Sequence, residues 1–171
     1  VNDGTVALTG TATMGGANVW LGQLAGGTGT LTLSGTAAVT VPAANWVNIS
    51  DNGGTGVLTL RNSSTFTASM DFNVGDTGNG SGTVNIQDTA TLNVTNFYVG
   101  KYGLVTGTVN QTGGAVNAVP AGGNDWRIGG YGSAADVNAI GVYNLSNGTL
   151  NTGTHNFQIG AYGKGTLNLS G

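Results

Sequence analysis

One phrase recurs along this chain: Asn18-Val-Trp-Leu-Gly22, Asp71-Phe-Asn-Val-Gly75, Asn96-Phe-Tyr-Val-Gly100 and Asn156-Phe-Gln-Ile-Gly160. Each is followed by a Gly-rich turn and a second phrase: Gly29-Thr-Leu-Thr-Leu33, Gly82-Thr-Val-Asn-Ile86, Gly107-Thr-Val-Asn110 and Gly165-Thr-Leu-Asn-Leu169. Self-similarity at a near-constant spacing is the signature of an architecture built by stacking like units. It restricts the fold far more than it restricts the chemistry.

The last apolar residue of the first phrase serves as a ruler. It falls at Leu21, Ile49, Val74, Val99, Ile128 and Ile159, at spacings of 28, 25, 25, 29 and 31 residues. Two positions earlier stand Val19, Val47, Phe72, Phe97, Trp126 and Phe157, and the residues between are mostly polar. Alternation of period two marks a strand with one buried face. The second phrase alternates likewise, with inward columns Val6, Leu31, Leu58, Val84, Val109, Tyr143, Leu167 and Leu8, Leu33, Leu60, Ile86, Gln111, Leu145, Leu169. Gln111 is the one polar residue in those columns, and it is expected to bond backbone inside the core or to mark a bulge. A third strand carries Met14, Val39, Phe66, Leu92, Val116 and Leu150 inward, flanked by outward Thr and Asn.

Helical periodicity is absent, and the corners lack the two-residue turns of hairpins. An antiparallel sandwich would need no common ruler. Stacking each strand on its counterpart one coil away, about 4.8 Å along an axis, explains why each column holds like residues. The chain therefore reads as all-β: a right-handed parallel β-helix (β-solenoid) with about three short strands per coil and coils of 25–31 residues. It forms a single domain, 1–171, with incomplete first and last coils and an insertion around 131–140. The bare ends invite end-to-end association, either as a fibre or as an excised piece of a longer rod, and the excised piece is the favoured reading.

Composition narrows the function. Charged residues make up 6% of the chain, all seven acids are Asp, and the net charge is −3. Arg61, Lys101, Arg127 and Lys164 are far apart in sequence, so no basic footprint for nucleic acid or an anionic membrane is present. There is no Cys, no lipidation motif and no long apolar run, so no disulfide framework or membrane insertion is expected in these residues. Asn, Thr, Ser and Gly in place of charge is the pattern of secreted, rod-like bacterial surface proteins.

The residues from Val99-Gly100 to Gly113-Gly114-Ala-Val-Asn117, and Ile159-Gly-Ala-Tyr-Gly-Lys-Gly-Thr-Leu-Asn-Leu-Ser-Gly171, carry a motif. It resembles the repeat associated with type V secretion and PEP-CTERM proteins. The resemblance covers nearly the whole chain. It implies a β-helical, autotransporter-passenger-like or surface-exposed stalk of a Gram-negative bacterium, concerned with adhesion or surface structure more than catalysis. Ser50, standing where the motif has Gly, and the coil with the insertion depart from it.

Candidate chemistry is sparse. Asp51 and Asp76 follow the first phrase in consecutive coils and could pair as in a polysaccharide-active β-helix enzyme, but both sit in Asp-Asn-Gly and Asp-Thr-Gly turns that favour local backbone bonds. Asp71 and Asp125 extend the polar column led by Asn18. Gly53-Gly54-Thr-Gly56 lacks the Asp of a calcium roll, which leaves only an isolated ion at Asp51 or Asp76. The single His155 is expected on an exposed loop. An ice-binding face is disfavoured, because the outward column Thr30, Val57, Thr83, Thr108, Val142, Thr166 is irregular. Tyr102, Tyr131 and Tyr162 fall at one corner of three consecutive coils. They form the candidate ligand face for a surface glycan or protein, or else merely cover the corner.

The sequence thus points to a non-enzymatic structural component of an extracellular or cell-surface stalk or filament. No cofactor or metal is implied, and homotypic end-to-end association is expected. A glycan- or protein-binding adhesin segment is the second reading.

Overall fold

The computed structural model describes residues 1–119 and 125–171. The strands are β1 (Gly4–Leu8), β2 (Thr13–Gly15), β3 (Val19–Leu21), β4 (Thr28–Leu33), β5 (Ala38–Val41), β6 (Val47–Ile49), β7 (Thr55–Leu60) and β8 (Thr65–Val74). They continue with β9 (Ser81–Ile86), β10 (Thr91–Val99), β11 (Thr106–Ala118), β12 (Asp125–Ile128), β13 (Ile140–Asn151), β14 (Asn156–Ile159) and β15 (Lys164–Leu169). Among the described residues all strand pairs are parallel, each strand lying on its counterpart one coil away. The chain is a β-solenoid of about six turns.

Three stacked faces result. The first phrase builds one from β3, β6, the ends of β8 and β10, β12 and β14. The second phrase builds another from β1, β4, β7, β9, the start of β11, the start of β13, and β15. The third contains β2, β5, the starts of β8 and β10, and the ends of β11 and β13. The registers align the columns read from the sequence: Val47↔Phe72, Phe72↔Phe97 and Phe97↔Trp126 in the first face, Leu31↔Leu58↔Val84↔Val109↔Tyr143 in the second. Those inward residues form one continuous buried core.

Outward columns become hydrogen-bonded ladders. In the second face Asn168, Asn144 and Asn110 each donate Nδ2 to the Oδ1 of the rung below, at 2.8, 2.9 and 3.1 Å, ending on Asn85. In the third, Asn117 donates to Asn93 and Asn93 to Thr67 Oγ1. A carboxamide carries both donor and acceptor, so one residue type satisfies itself rung after rung where a charge would repel its copy. That explains why the chain uses Asn and Thr in place of charge.

The sharp corner between the first and second faces is made by two facing columns of small residues. After the first phrase come Gly22, Ser50, Gly75, Gly100, Gly129 and Gly160, all with φ between 61° and 84°. A side chain tolerates that left-handed backbone poorly. Ser50 tolerates it with Oγ donating to the Gly54 carbonyl at 2.7 Å, which explains how this coil departs from the motif. Opposite stand Gly29, Gly56, Gly82, Gly107, Gly141 and Gly165, whose missing Cβ atoms would overlap the backbone nitrogens of the first column.

The structure differs from the sequence reading at two corners. Separate short strands were expected in every coil, yet β8 and β10 run from the third face into the first, and β11 and β13 from the second into the third, without leaving extended conformation. No glycine turn interrupts the chain between the third and first phrases in β8 and β10, so the backbone bends through a register shift between Val94 and Asn96. Between β12 and β13 lies a short 3₁₀ turn, Ala134–Asp136, capped reciprocally by Ser133 and Asp136.

Gln111 does both things anticipated for it. Its Nε2 donates to the Gly114 and Thr149 carbonyls at 3.2 and 3.0 Å, beside a register shift, and its Oε1 accepts from the Tyr143 hydroxyl at 2.6 Å. Gln111→Leu is expected to cost about 1–3 kcal/mol, because it strands the buried Tyr143 hydroxyl. Adding Tyr143→Phe should recover part of that loss in a urea-denaturation double-mutant cycle.

Candidate functional site

The three faces are not chemically alike. The second and third present Thr and Asn outward. Six of the chain's eleven charged residues (Asp51, Asp71, Asp76, Lys101, Asp125, Arg127) lie on the first face or just beyond its strand ends. So do Trp20, Trp46, Tyr98, Tyr102 and Tyr131. The parallel register places Trp20, Asn48, Asn73, Tyr98 and Arg127 in one outward column and Asp71, Asn96, Asp125 and Asn156 in the next.

Lys101 is the centre of this face. Only 6% of it is exposed. Its Nζ lies 3.1 Å from Asp71 Oδ2 and 3.7 Å from Asp76 Oδ1, and 4.7, 5.1 and 5.2 Å from the ring centres of Tyr98, Tyr102 and Tyr131. Those rings meet edge to face, Tyr131 standing 5.1 Å from both Tyr98 and Tyr102. The negative ring faces and the two carboxylates together offset the loss of water around a buried ammonium. Arg127 also lies over the Tyr131 ring, at 5.2 Å, and pairs with Asp125 at 2.8 Å.

Of the sequence-selected tyrosines, the structure brings Tyr102 and Tyr131 together and leaves Tyr162 apart, exposed at its own corner. Tyr98 completes the cluster. In the sequence Tyr98 stands only as an outward residue of the first phrase, although its place in the column above Asn73 is legible there. Burial, with Tyr131 and Asp76 adding to it, pushes the Tyr102 hydroxyl up to about 12. Burial also raises Tyr98, with Asp71 as the next contribution.

Asp51 and Asp76 do lie on neighbouring rungs, bridged by Asn48, whose Nδ2 is 2.8 Å from Asp76 Oδ2 and 3.5 Å from Asp51 Oδ2. Asp51 behaves as a turn residue, accepting from the Asn52 amide and the Thr77 hydroxyl. Asp71 and Asp125 extend the polar column as expected, Asp71 accepting from Asn96 and Asp125 from Asn156. His155 is half-buried against Trp126 instead of exposed, because the corner before β14 folds back over the core end. Asp136 accepts from the Gly132 and Ser133 amides; burial pushes its carboxyl up, but those donors outweigh it and hold it below the ordinary range.

Beside Lys101 a shallow cavity of about 290 Å³ is lined by Trp46, Asp71, Asn73, Asp76, Lys101 and Tyr102. Asn73 is 98% buried: its Nδ2 donates to Asn48 at 2.7 Å, while its Oδ1 has no partner. Asp76 Oδ1 is likewise buried without a hydrogen bond, since Lys101 is nearer to Asp71. Burial first, then Asp51 and Asp71, raise the Asp76 carboxyl above its ordinary 3.8 against the pull of Lys101 and Asn48. A raised native value means Asp76 favours folding below about pH 3.8 and loses that contribution as pH rises through the native value. Asp76→Asn, which mimics the protonated group, is expected to raise the melting temperature at pH 7. That gain should vanish below pH 3.8 in a series of thermal melts.

No family model, curated protein or solved structure matches this chain.

Proposed function

We propose that this chain is a structural segment of an extracellular or bacterial cell-surface stalk or filament, in which its coils stack end to end on further coils. The observation that carries the reading is the parallel pairing of each coil with the next on all three faces, together with the state of the last rungs. Leu169 and Ile159 end core columns, yet they are 67% and 45% exposed, whereas their counterparts three and two coils inside, Ile86 and Val99, are fully buried. At the other end Val6, Met14 and Val19 are only partly covered. Open strand edges and bare apolar columns are what a further coil would cover. Three of the carboxylates support a structural over a catalytic role: Asp51, Asp71 and Asp125 are engaged in turns, ladders or ion pairs.

The reading is tested by sedimentation velocity over a concentration series. The native chain should associate progressively, and Leu169→Lys, which places a charge on the exposed end, should weaken association by about tenfold or more. A chain that sediments as a monomer throughout the series would overturn the proposal.

A further inference from the structure

We infer that the cavity between Trp46 and Tyr102 is a subsite for a neutral pyranose sugar. Four features of this cavity point to such a ligand, independent of whether the rod ends associate.

The cavity is built, not incidental. Two of the polar residues that line it, Asn73 and Lys101, are 2% and 6% exposed, and their positions are fixed by the ladder contact to Asn48 and by the tyrosine cluster. Groups held this rigidly lose little freedom when a ligand arrives.

Two acceptors there are unspent. Asn73 Oδ1 and Asp76 Oδ1 are buried without hydrogen bonds, an arrangement native proteins avoid unless water or a ligand fills the gap. Both accept only, so they call for a ligand rich in O–H donors. Both oxygens are covered in the free chain, so a sugar's hydroxyls reach them only as a covering side chain shifts, and Lys101 adds a donor on the same wall.

An exposed aromatic wall stands on one side. The Trp46 side chain is half exposed, while Trp126 in the core is fully covered. Trp46 lies on the second coil and Tyr102 on the fourth, so two rungs, roughly 10 Å, separate their levels. That spacing admits one six-membered ring, whose C–H face would lie on the indole. A cavity of about 290 Å³ is at the small end of ligand sites, matched to a single sugar residue.

The charge selects the class. Asp71 and Asp76 share a single ammonium, and Asp51 adds its charge beside Asp76, so an acidic sugar would meet repulsion. The same ammonium, 3.1 Å from Asp71, opposes a divalent cation, and no group of three or more His, Cys, Asp or Glu among the described residues is placed to hold one.

The experiment uses the native chain with the methyl glycosides of glucose, galactose, mannose and N-acetylglucosamine, and glucuronate as the acidic control. Saturation-transfer NMR and tryptophan fluorescence are the readouts. At least one neutral glycoside should bind in the millimolar range, the strength expected for about a dozen non-hydrogen atoms. Trp46→Ala should weaken it about tenfold, Trp46→Phe less, and Asp76→Asn should weaken it without unfolding the chain. Three results would overturn the inference: no neutral glycoside binding, binding that survives Trp46→Ala, or glucuronate binding as well as the neutral sugars. Calcium chloride alone reproducing the fluorescence change would also overturn it, by assigning the acceptors to an ion.

Discussion

Gly107→Ala is expected to destabilise the chain by about 3 kcal/mol or more, at the upper end of what overpacking costs. The cause is a hydrogen bond, not a turn. The Gly100 amide donates to the Val74 carbonyl at 2.8 Å, one rung below, and a Cβ on Gly107 would sit against both of those atoms. The same geometry repeats through the stack: Gly82 covers the bond from Gly75 to Ile49, Gly141 that from Gly129 to Val99, and Gly165 that from Gly160 to Ile128. Rungs can therefore close at this corner only while the facing residue has no side chain. Gly132→Ala is the control, since its Cβ would meet only the Arg127 side chain at 3.7 Å, and it should change stability by less than about 0.5 kcal/mol. Urea denaturation of the two variants side by side checks the contrast.

Phe97→Ala is expected to cost about 3–5 kcal/mol, the range for emptying a buried aromatic site. Phe97 is the hub of the core's aromatic chain. Its ring meets Phe72, Trp126 and Tyr143 edge to face at 5.7, 5.3 and 6.2 Å, and Phe72 continues the chain to Phe66 at 5.7 Å. With neighbours fixed above and below by rung hydrogen bonds, the cavity cannot close by sliding a strand. Phe157→Ala, in the same column but on the partly covered end coil, should cost roughly half as much. Equal costs at both positions would mean that burial does not rise toward the middle of the stack.

Much of the fold was legible because a solenoid writes its geometry into the sequence column by column. Val47, Phe72, Phe97 and Trp126 could be aligned by counting, and their register needs nothing else. The glycines were legible only as spacing. That Gly107 shields a hydrogen bond between its own coil and the one below depends on how sharply the corner folds, which no local pattern encodes. The continuous bends of β8 and β10 escaped for the same reason.

The candidate site was half legible. Tyr102 and Tyr131 share a corner and were visible as a repeat, whereas Tyr98 reaches them from within a strand and Tyr162 does not reach them at all. Trp46 carried no motif, and Asn73 stood only as a polar position of the recurring phrase. They matter because neighbouring rungs place an exposed indole beside a buried, unpartnered carboxamide oxygen, a relation that exists only between coils.

The claim that this chain is a stackable rod segment is tested most directly by fusing residues 1–171 to a second copy of residues 11–171. Gly171 stands two residues after Leu169 as Gly10 stands two after Leu8, so the junction preserves the phase of the repeat. In solution X-ray scattering the fusion should be one rod roughly 60 Å long, about twice the single chain. It should also melt in a single transition above that of the single chain, since the covered junction adds an interface. Two separate bodies in the scattering profile, melting at the temperature of the single chain, would contradict it.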